Sequence, residues 1–166
     1  MKICICTTPI RPEPTTFPPF GSIAIIQSLR DIGEDVYFYH IDYHRYSHKE
    51  IEKYFEENKF DLVGISAVVS TAYAYTKYLT NLIQKVSKNT KIFVGGNLAA
   101  SAHILHHKSN VDYCVIGDGE IIVQNLIRAI KENKLGDDDL SSILGITYLD
   151  SKGNFKFTGN DQKTRL

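Results

Sequence analysis

The sequence predicts an α/β domain in which helices cover both faces of a parallel β-sheet. Short apolar segments alternate five times with amphipathic segments, which is the order of a repeated strand–helix unit. The short segments are largely apolar on both faces, as strands are when a parallel sheet is covered on both sides. A length of 166 residues fits one domain of this kind.

The strands are predicted where apolar and β-branched residues run together between polar or glycine-containing segments. KICICTT at the start of the chain and DLVGISAVV in its middle are two such runs. The five predicted strands comprise residues 2–8, 35–41, 61–69, 91–96 and 111–117. With right-handed crossovers they give a flavodoxin-like (Rossmann-like), doubly wound sheet with the strand order 2-1-3-4-5.

The helices are predicted from apolar residues at helical spacing and from capping signals. Ile26 and Leu29 share one face of the first helix, and Ser47 with Glu50 forms a capping box at the start of the second. Asn97 is expected to cap the fourth helix. The predicted helices comprise residues 22–33, 47–58, 73–88, 97–108 and 120–133.

The pattern changes in the last part of the chain. Residues 143–157 are typical of a β-hairpin around a turn at 150–153, and residues 158–166 are polar. We therefore divide the chain into an α/β domain over residues 1–135 and a hairpin and linker over residues 136–166. The linker is expected to lead to a further domain of a longer protein.

Composition excludes several classes of function. Nineteen basic and nineteen acidic residues cancel, so the chain lacks the electrostatic signature of nucleic-acid or anionic-membrane binding. No apolar run reaches the roughly 18 residues of a membrane span, and the first residues lack a signal-peptide core. Cys4, Cys6 and Cys114 lie in apolar runs, which favours buried, reduced thiols over a metal site. We expect a cytoplasmic protein.

Small residues gather where the predicted strands end. In an open α/β sheet, ligands bind beyond the carboxyl ends of the strands. The ends of the later strands carry the segments SAVVST, GGNLA and IGDGE, and the first strand is followed by a long proline-rich link over residues 9–21. Long links of this kind are often functional. Ordinary turns also favour glycine and serine, so the segments indicate either a binding edge or simple turns.

Three familiar kinds of site fit this edge poorly. A phospho-receiver needs acidic residues where this chain has Thr7, Thr8 and Ser66. A dinucleotide site needs a Gly-x-Gly-x-x-Gly segment after the first strand, and no glycine precedes Gly21. A flavin phosphate loop is weakened by the prolines, which lack N–H donors.

Four segments together resemble a known family. They are FPPFGSIAIIQSLRDIGEDVYFYHID, FDLVGISAVVSTAYAYTKYLTNLIQ, KIFVGGNLAASAH and VDYCVIGDGE. In order and spacing they are similar to the N-terminal cobalamin-binding domain of B12-dependent radical S-adenosylmethionine (SAM) enzymes, over about residues 1–150. The resemblance implies a corrinoid across the carboxyl edge of the sheet.

The resemblance also implies which residues contact the cofactor. Gly95 and Gly96 would let the backbone approach it, Ser66 would line the cavity for its nucleotide tail, and Gly117 would begin the loop before the last helix. Substitution of Gly96 by valine is therefore expected to weaken cobalamin binding more than folding. The full implied set is Thr8, Pro19, Gly21, Ser66, Ala67, Val68, Gly95, Gly96, Asn97, Gly117, Gly119 and Glu120.

The chain departs from related patterns in two ways. The link between Thr7 and Gly21 has no histidine to bind cobalt from below, and the histidines elsewhere are expected in loops or on solvated helix surfaces. The Cys-x-x-x-Cys-x-x-Cys loop that holds a radical SAM iron–sulfur cluster is absent. By resemblance, the cluster and SAM belong to a radical SAM domain of the same parent chain, a methyltransferase or an anaerobic magnesium-protoporphyrin ester cyclase.

Several further residues have structural interpretations. Arg11 is expected to be a solvated loop charge, Phe17 and Phe20 to anchor the proline-rich link to the core, and Asp118 to cap the last helix. No nucleophile–base pair is evident, so no catalytic residue is assigned. The alternative function is a docking module that kept the fold and lost the cofactor.

Overall fold

One mixed sheet forms the centre of the molecule. The structure is a computed structural model and describes residues 1–160. Within these residues the sheet has seven strands in the order β2-β1-β3-β4-β5-β6-β7. They are β1 (Lys2–Thr7), β2 (Asp35–Tyr39), β3 (Leu62–Ser66), β4 (Lys91–Gly95), β5 (Tyr113–Val115), β6 (Ile146–Leu149) and β7 (Phe155–Phe157).

The first five strands run parallel in the predicted order 2-1-3-4-5, which confirms the doubly wound sheet. The predicted C-terminal hairpin is also present, but it does not stand apart from the sheet. β6 pairs antiparallel with β5, where Cys114 lies opposite Thr147, and β7 pairs antiparallel with β6. The hairpin therefore covers the edge of β5 that the first five strands leave unpaired.

The helices lie close to their predicted positions, with differences at their ends. They are α1 (Phe20–Asp31), α2 (Ile41–His44), α3 (His48–Glu57), α4 (Tyr73–Val86), α5 (Ala102–Lys108), α6 (Gly119–Lys131) and α7 (Asp137–Ser141). The capping box of Ser47 and Glu50 is present at α3. The cap predicted for Asn97 is wrong, because Asn97 begins a 3₁₀ segment, Asn97–Ser101, and Gly96 occupies the capping position.

The two faces of the sheet have separate cores. Ile5, Leu62 and Phe93 belong to the core that includes residues of α1 and α6, whereas Cys4 and Val63 belong to the core that includes residues of α3, α4 and α5. The alternation follows from the period of two along each strand. The face beneath α1 and α6 carries the candidate site.

The three cysteines are free and buried, as predicted. Desolvation by burial raises the pKa of the Cys4 thiol to about 12 and that of the Cys114 thiol to about 12. These side chains are therefore protonated thiols packed in the core at neutral pH. Among the described residues, no helix is both long and apolar enough to cross a membrane.

His106 joins α5 to the hairpin. The prediction of a solvated position is wrong, because His106 is only 6% exposed and its Nε2 lies 2.9 Å from Thr147 Oγ1. Burial lowers the pKa of His106 and outweighs the backbone groups of Val111 and Thr147, which raise it. The imidazole is therefore neutral in the folded protein at neutral pH.

The lowered pKa of His106 makes the stability of the fold dependent on pH. Below the ordinary histidine pKa of about 6.5, the unfolded chain binds a proton that the folded chain resists, so stability falls as the pH falls. His106→Gln keeps an uncharged polar group in this position. We expect the variant to lose less unfolding free energy between pH 7 and pH 5 than the wild type, as measured by urea denaturation. Equal losses of unfolding free energy in the variant and the wild type would contradict the lowered pKa of His106.

Candidate functional site

A cavity of about 700 Å³ opens at the carboxyl ends of the parallel strands. It is lined by the ends of β1, β3 and β4, by the proline-rich link after β1, and by the first turns of α1 and α6. Its size lies within the range of about 300–1,000 Å³ that is typical of small-molecule sites. Its position is the one that open α/β sheets use for ligands.

Two rows of residues on one face of the sheet form the floor of the cavity. Ile5 and Phe93 flank Gly64 in the lower row, and Thr7, Ser66 and Gly95 lie in the upper row, two residues further along each strand. A Cβ atom at Gly64 would lie 2.6 Å from a Phe93 ring atom, so glycine is needed for this ring to pack against β3. The floor is therefore apolar below and open with small residues above.

Gly95 and Gly96 differ in what they do. Gly96 has a φ of +89°, and a Cβ atom there would lie 2.6 Å from the Ala67 carbonyl oxygen. It is therefore required by the backbone itself. Gly95 has no atom within 4 Å of an added Cβ and lines the cavity. The expectation that Gly96→Val weakens cobalamin binding more than folding needs correction, because the fold itself requires glycine at position 96. Gly95 is the residue that leaves space in the cavity.

The proline-rich wall is fixed by Arg45. Its guanidinium donates hydrogen bonds to the carbonyl oxygens of residues 11, 12 and 13, at 2.7, 3.1 and 2.7 Å. It also forms an ion pair with the buried Asp42 at 2.9 Å, and Asp42 accepts the N–H of Ile10 at 3.1 Å. A segment without regular structure is thus held in place by one cation and one buried carboxylate.

His40 is a cavity residue, although the sequence predicts a loop or surface role for it. It follows β2 and lines the cavity, and its Nδ1 lies 2.9 Å from Thr7 Oγ1. The same hydroxyl accepts the N–H of Asp42 at 3.1 Å. Desolvation lowers the pKa of His40, so its ring is uncharged at neutral pH. Its position at the carboxyl end of a predicted strand was a signal that it could reach this edge.

Two aromatic side chains stand at the cavity rather than in the core. Phe17 and Phe20 are 70% and 75% exposed and both line the cavity, so the prediction that they anchor the link to the core is wrong. Arg11 is exposed, as expected, and also lines the cavity. The predicted capping role of Asp118 is wrong as well, because its side chain makes no capping hydrogen bond to α6.

Two buried hydroxyl groups in the cavity wall have no hydrogen-bond partner. Among the described residues, neither Thr15 Oγ1 nor Ser22 Oγ has one, although these residues are only 9% and 3% exposed. Both residues line the cavity. Buried polar groups are normally hydrogen-bonded, so these two hydroxyl groups lack the partners that such groups usually have.

Ten of the twelve residues implied by the resemblance line this one cavity. They are Thr8, Pro19, Gly21, Ser66, Val68, Gly95, Gly96, Gly117, Gly119 and Glu120. Ala67 is buried beside the cavity, where its N–H donates to Gly95 and its carbonyl accepts from Leu98. Asn97 is exposed and does not line the cavity.

Thr15 and Ser22 are not among the site residues that the sequence predicts. The available signal was the Pro18-Pro19 pair, because a residue before a proline is kept out of the helical region and the helix can begin directly after the pair. That pair places the start of α1 at Phe20, two residues earlier than predicted, and so places Ser22 in the first turn beside the cavity.

Comparison with known proteins agrees with this geometry. The family model for the B12 binding domain matches residues 14–127. The radical SAM methyltransferase TsrM from Kitasatospora setae, solved with cobalamin and a 4Fe–4S cluster, superposes with a TM-score of 0.75 at 21% identity over 96% of this chain. The cobalamin-dependent SAM radical enzyme OxsB, with aqua-cobalamin and SAM bound, superposes with a TM-score of 0.77 at 17% identity over 97% of it.

This chain belongs to the B12 binding domain family. It spans only 29% of the length of the TsrM chain and 22% of the OxsB chain. No curated protein matches it. Within the described residues, no group of three or more His, Cys, Asp or Glu side chains is arranged to hold a metal ion.

The two adjacent glycines allow a test of the backbone constraint without any ligand. Gly96→Ala should destabilise the fold by about 1–3 kcal/mol or more, because its φ is strained for any other residue and the new Cβ meets the Ala67 carbonyl. Gly95→Ala, which meets nothing, should change the free energy of unfolding by less than about 1 kcal/mol. Urea denaturation measures both, and equal losses would refute the distinction.

The Arg45 contacts predict a local effect on the proline-rich wall. Arg45→Asn keeps a residue that tolerates the left-handed conformation, φ 51°, but removes the guanidinium. We expect the free energy of unfolding to fall by about 1–3 kcal/mol and amide hydrogen exchange around residues 10–16 to become faster. Lys85→Ala, which breaks the exposed ion pair with Glu52, is the control and should leave the free energy of unfolding nearly unchanged. Unchanged exchange in the Arg45 variant would contradict the role.

Proposed function

We propose that this chain binds cobalamin in the cavity at the carboxyl edge of its sheet. The observation that carries the proposal is a cavity in a B12 binding domain, with a floor that is apolar below and has small residues above, and with two unpartnered buried hydroxyl groups in its wall. When bound, a corrinoid supplies cobalt-centred alkyl and radical chemistry that amino-acid side chains do not provide. The residues of this chain bind and orient it.

The lining of the cavity fits the parts of such a cofactor. Its lower part is apolar and lies between α1 and α6, where Ile25, Phe93 and Val123 line it. This part suits the flat aromatic base of a nucleotide tail. A complete cobalamin exceeds a cavity of about 700 Å³, so the macrocycle would lie over the mouth.

The mouth of the cavity offers surfaces for a macrocycle. Phe17, Phe20 and Val68 are exposed apolar side chains that line it together, and exposed apolar groups gathered at one place often mark a ligand-binding surface. Gly21 and Gly95 have open space where a side chain would stand. In the proposal, the aromatic groups contact the ring and the glycines admit its edge.

The remaining implied residues take supporting roles in the proposal. Ser66 and Thr8 lie at the upper edge of the floor, where Thr8 Oγ1 donates to the Ser66 carbonyl at 3.1 Å. Gly117, with φ +111°, and Gly119 form the turn into α6. A Cβ at Gly119 would lie 2.8 Å from Ile25, so this glycine permits the close approach of α1 and α6.

We further propose that the chain is the cobalamin-binding part of a radical SAM enzyme, with the iron–sulfur cluster and SAM held by another domain of that enzyme. The small share of the TsrM and OxsB chains that it spans supports this proposal. The sequence itself holds three cysteines, none in a Cys-x-x-x-Cys-x-x-Cys loop. The parent would be a methyltransferase or a cyclase of the magnesium-protoporphyrin ester type.

Titration with hydroxocobalamin, followed by its visible absorbance, tests the proposed function. Wild-type protein should bind. Gly95→Val should weaken binding at least tenfold, because the branched side chain occupies the cavity beside Ser66, and Gly95→Ala should weaken it less. Ala100→Val, at an exposed position outside the cavity lining, is the matched control and should bind as the wild type does.

The outcome also separates the alternative function. If folded wild-type protein shows no absorbance change at micromolar cobalamin, the proposal is overturned and the cofactor-free docking module is favoured. If Gly95→Val and Ala100→Val bind equally well, the cofactor lies elsewhere on the molecule. Circular dichroism of every variant establishes that it is folded.

A further inference from the structure

The start of α1 combines three features that are usually found apart. It is a helix N-terminus with free amides, it lies in the wall of the cavity, and two buried hydroxyl groups beside it lack partners. Each feature alone is common. Together they describe a site for a ligand group that accepts several hydrogen bonds.

The free amides follow from the sequence at the helix start. The first four N–H groups of a helix have no intrahelical acceptor. Here the carbonyls of Pro18 and Pro19 accept from Phe20 and Ile23 at 2.9 and 3.0 Å, and among the described residues Gly21 and Ser22 have no acceptor. Pro19 occupies the capping position and makes no side-chain capping bond, and no acidic residue lies in the first turn.

The hydroxyl groups point to a bound group because burial without a partner is costly. Leaving a buried hydroxyl unpaired costs about 1–3 kcal/mol. Alanine at position 22 and valine at position 15 would avoid that cost, yet the chain has Ser22 and Thr15 there, both at least nine-tenths buried and both lining the cavity.

The charge at the start of α1 favours an anion. The N-terminus of a helix carries a partial positive charge and binds phosphate groups through its N–H groups. Arg11 lines the same cavity and adds a full positive charge. Asp42 also lines it, but its carboxylate is paired with Arg45 at 2.9 Å. Asp118 and Glu120 also line the cavity at the start of α6, so the anion would sit on the α1 side.

We infer that the first turn of α1, with Ser22 and Thr15, binds the phosphodiester of the cofactor's nucleotide loop. This inference rests on the proposed function. The side chains of the corrin ring are neutral amides, whereas the phosphodiester carries a full negative charge and accepts several hydrogen bonds. The apolar part of the cavity continues below this turn, at Ile25, where the base attached to the phosphate would lie.

The test compares cobalamin with cobinamide, a corrinoid that lacks the whole nucleotide loop. The double variant Thr15→Val, Ser22→Ala should bind cobalamin about tenfold more weakly than the wild type, and it should bind cobinamide within twofold of the wild type. Thr16→Val is the matched control, because Thr16 is exposed and outside the cavity lining. It should leave both affinities unchanged.

The stability of the ligand-free protein provides a second measurement. Because neither hydroxyl has a partner in the described structure, the double variant should unfold at the same or a higher urea concentration than the wild type. A clear loss of stability would show that the hydroxyls serve the fold, and would overturn the inference.

The binding outcomes separate this inference from the proposed function. If the wild type binds cobalamin and the double variant binds it equally well, the inference fails and the proposed function stands. If the double variant loses cobalamin and cobinamide to the same extent, the hydroxyls contact the ring and not the phosphodiester, which also overturns the inference. If the folded wild type binds neither corrinoid, both proposals fail.

Discussion

The close approach of the Gly96 backbone to the Ala67 carbonyl determines the shape of the whole carboxyl edge. At this point β4 has ended and the chain turns into a 3₁₀ segment, while the N–H of Ala67 donates to Gly95 and that of Leu98 donates to Ala67. Only glycine satisfies the positive φ and the lack of space together. The segment after β4 packs on the opposite face of the sheet, where Leu98 and Ala99 are buried, so the α1 and α6 face is left uncovered and the cavity opens there.

The opposite wall of the cavity depends on electrostatics instead of packing. The proline-rich link has few N–H groups and no regular hydrogen bonding, so its position is set from outside by the Arg45 guanidinium and the buried Asp42. Both residues follow β2, far from the link in sequence. The cavity thus has one wall that is rigid for steric reasons and another that is held by charged hydrogen bonds, which are about twice as strong as neutral ones.

The sequence predicts what local patterns determine and misses what distant contacts determine. Apolar runs and the Ser47 capping box predict the strands, the helices and their order, and small residues at strand ends predict the cavity, because each signal lies within one segment. The burial of His106 depends on Thr147, 41 positions away, and the fixed wall depends on contacts from Arg45 across more than 30 positions. Phe17 and Phe20 resemble core residues in composition, and only the packing shows them exposed.

The hairpin has a consequence for the direction of the chain. β6 reverses the direction of β5, and β7 reverses it again, so β7 runs the same way as the five parallel strands. Its last residues lie beside the start of β6, where the N–H of Thr158 donates to the Ile146 carbonyl and the N–H of Gly145 donates to the Gly159 carbonyl. The Gly145 carbonyl in turn accepts the N–H of Ile116. Two reversals therefore bring the polypeptide back to the rim where Gly117 lines the cavity, so that residues 158–160 exit on the ligand side of the sheet.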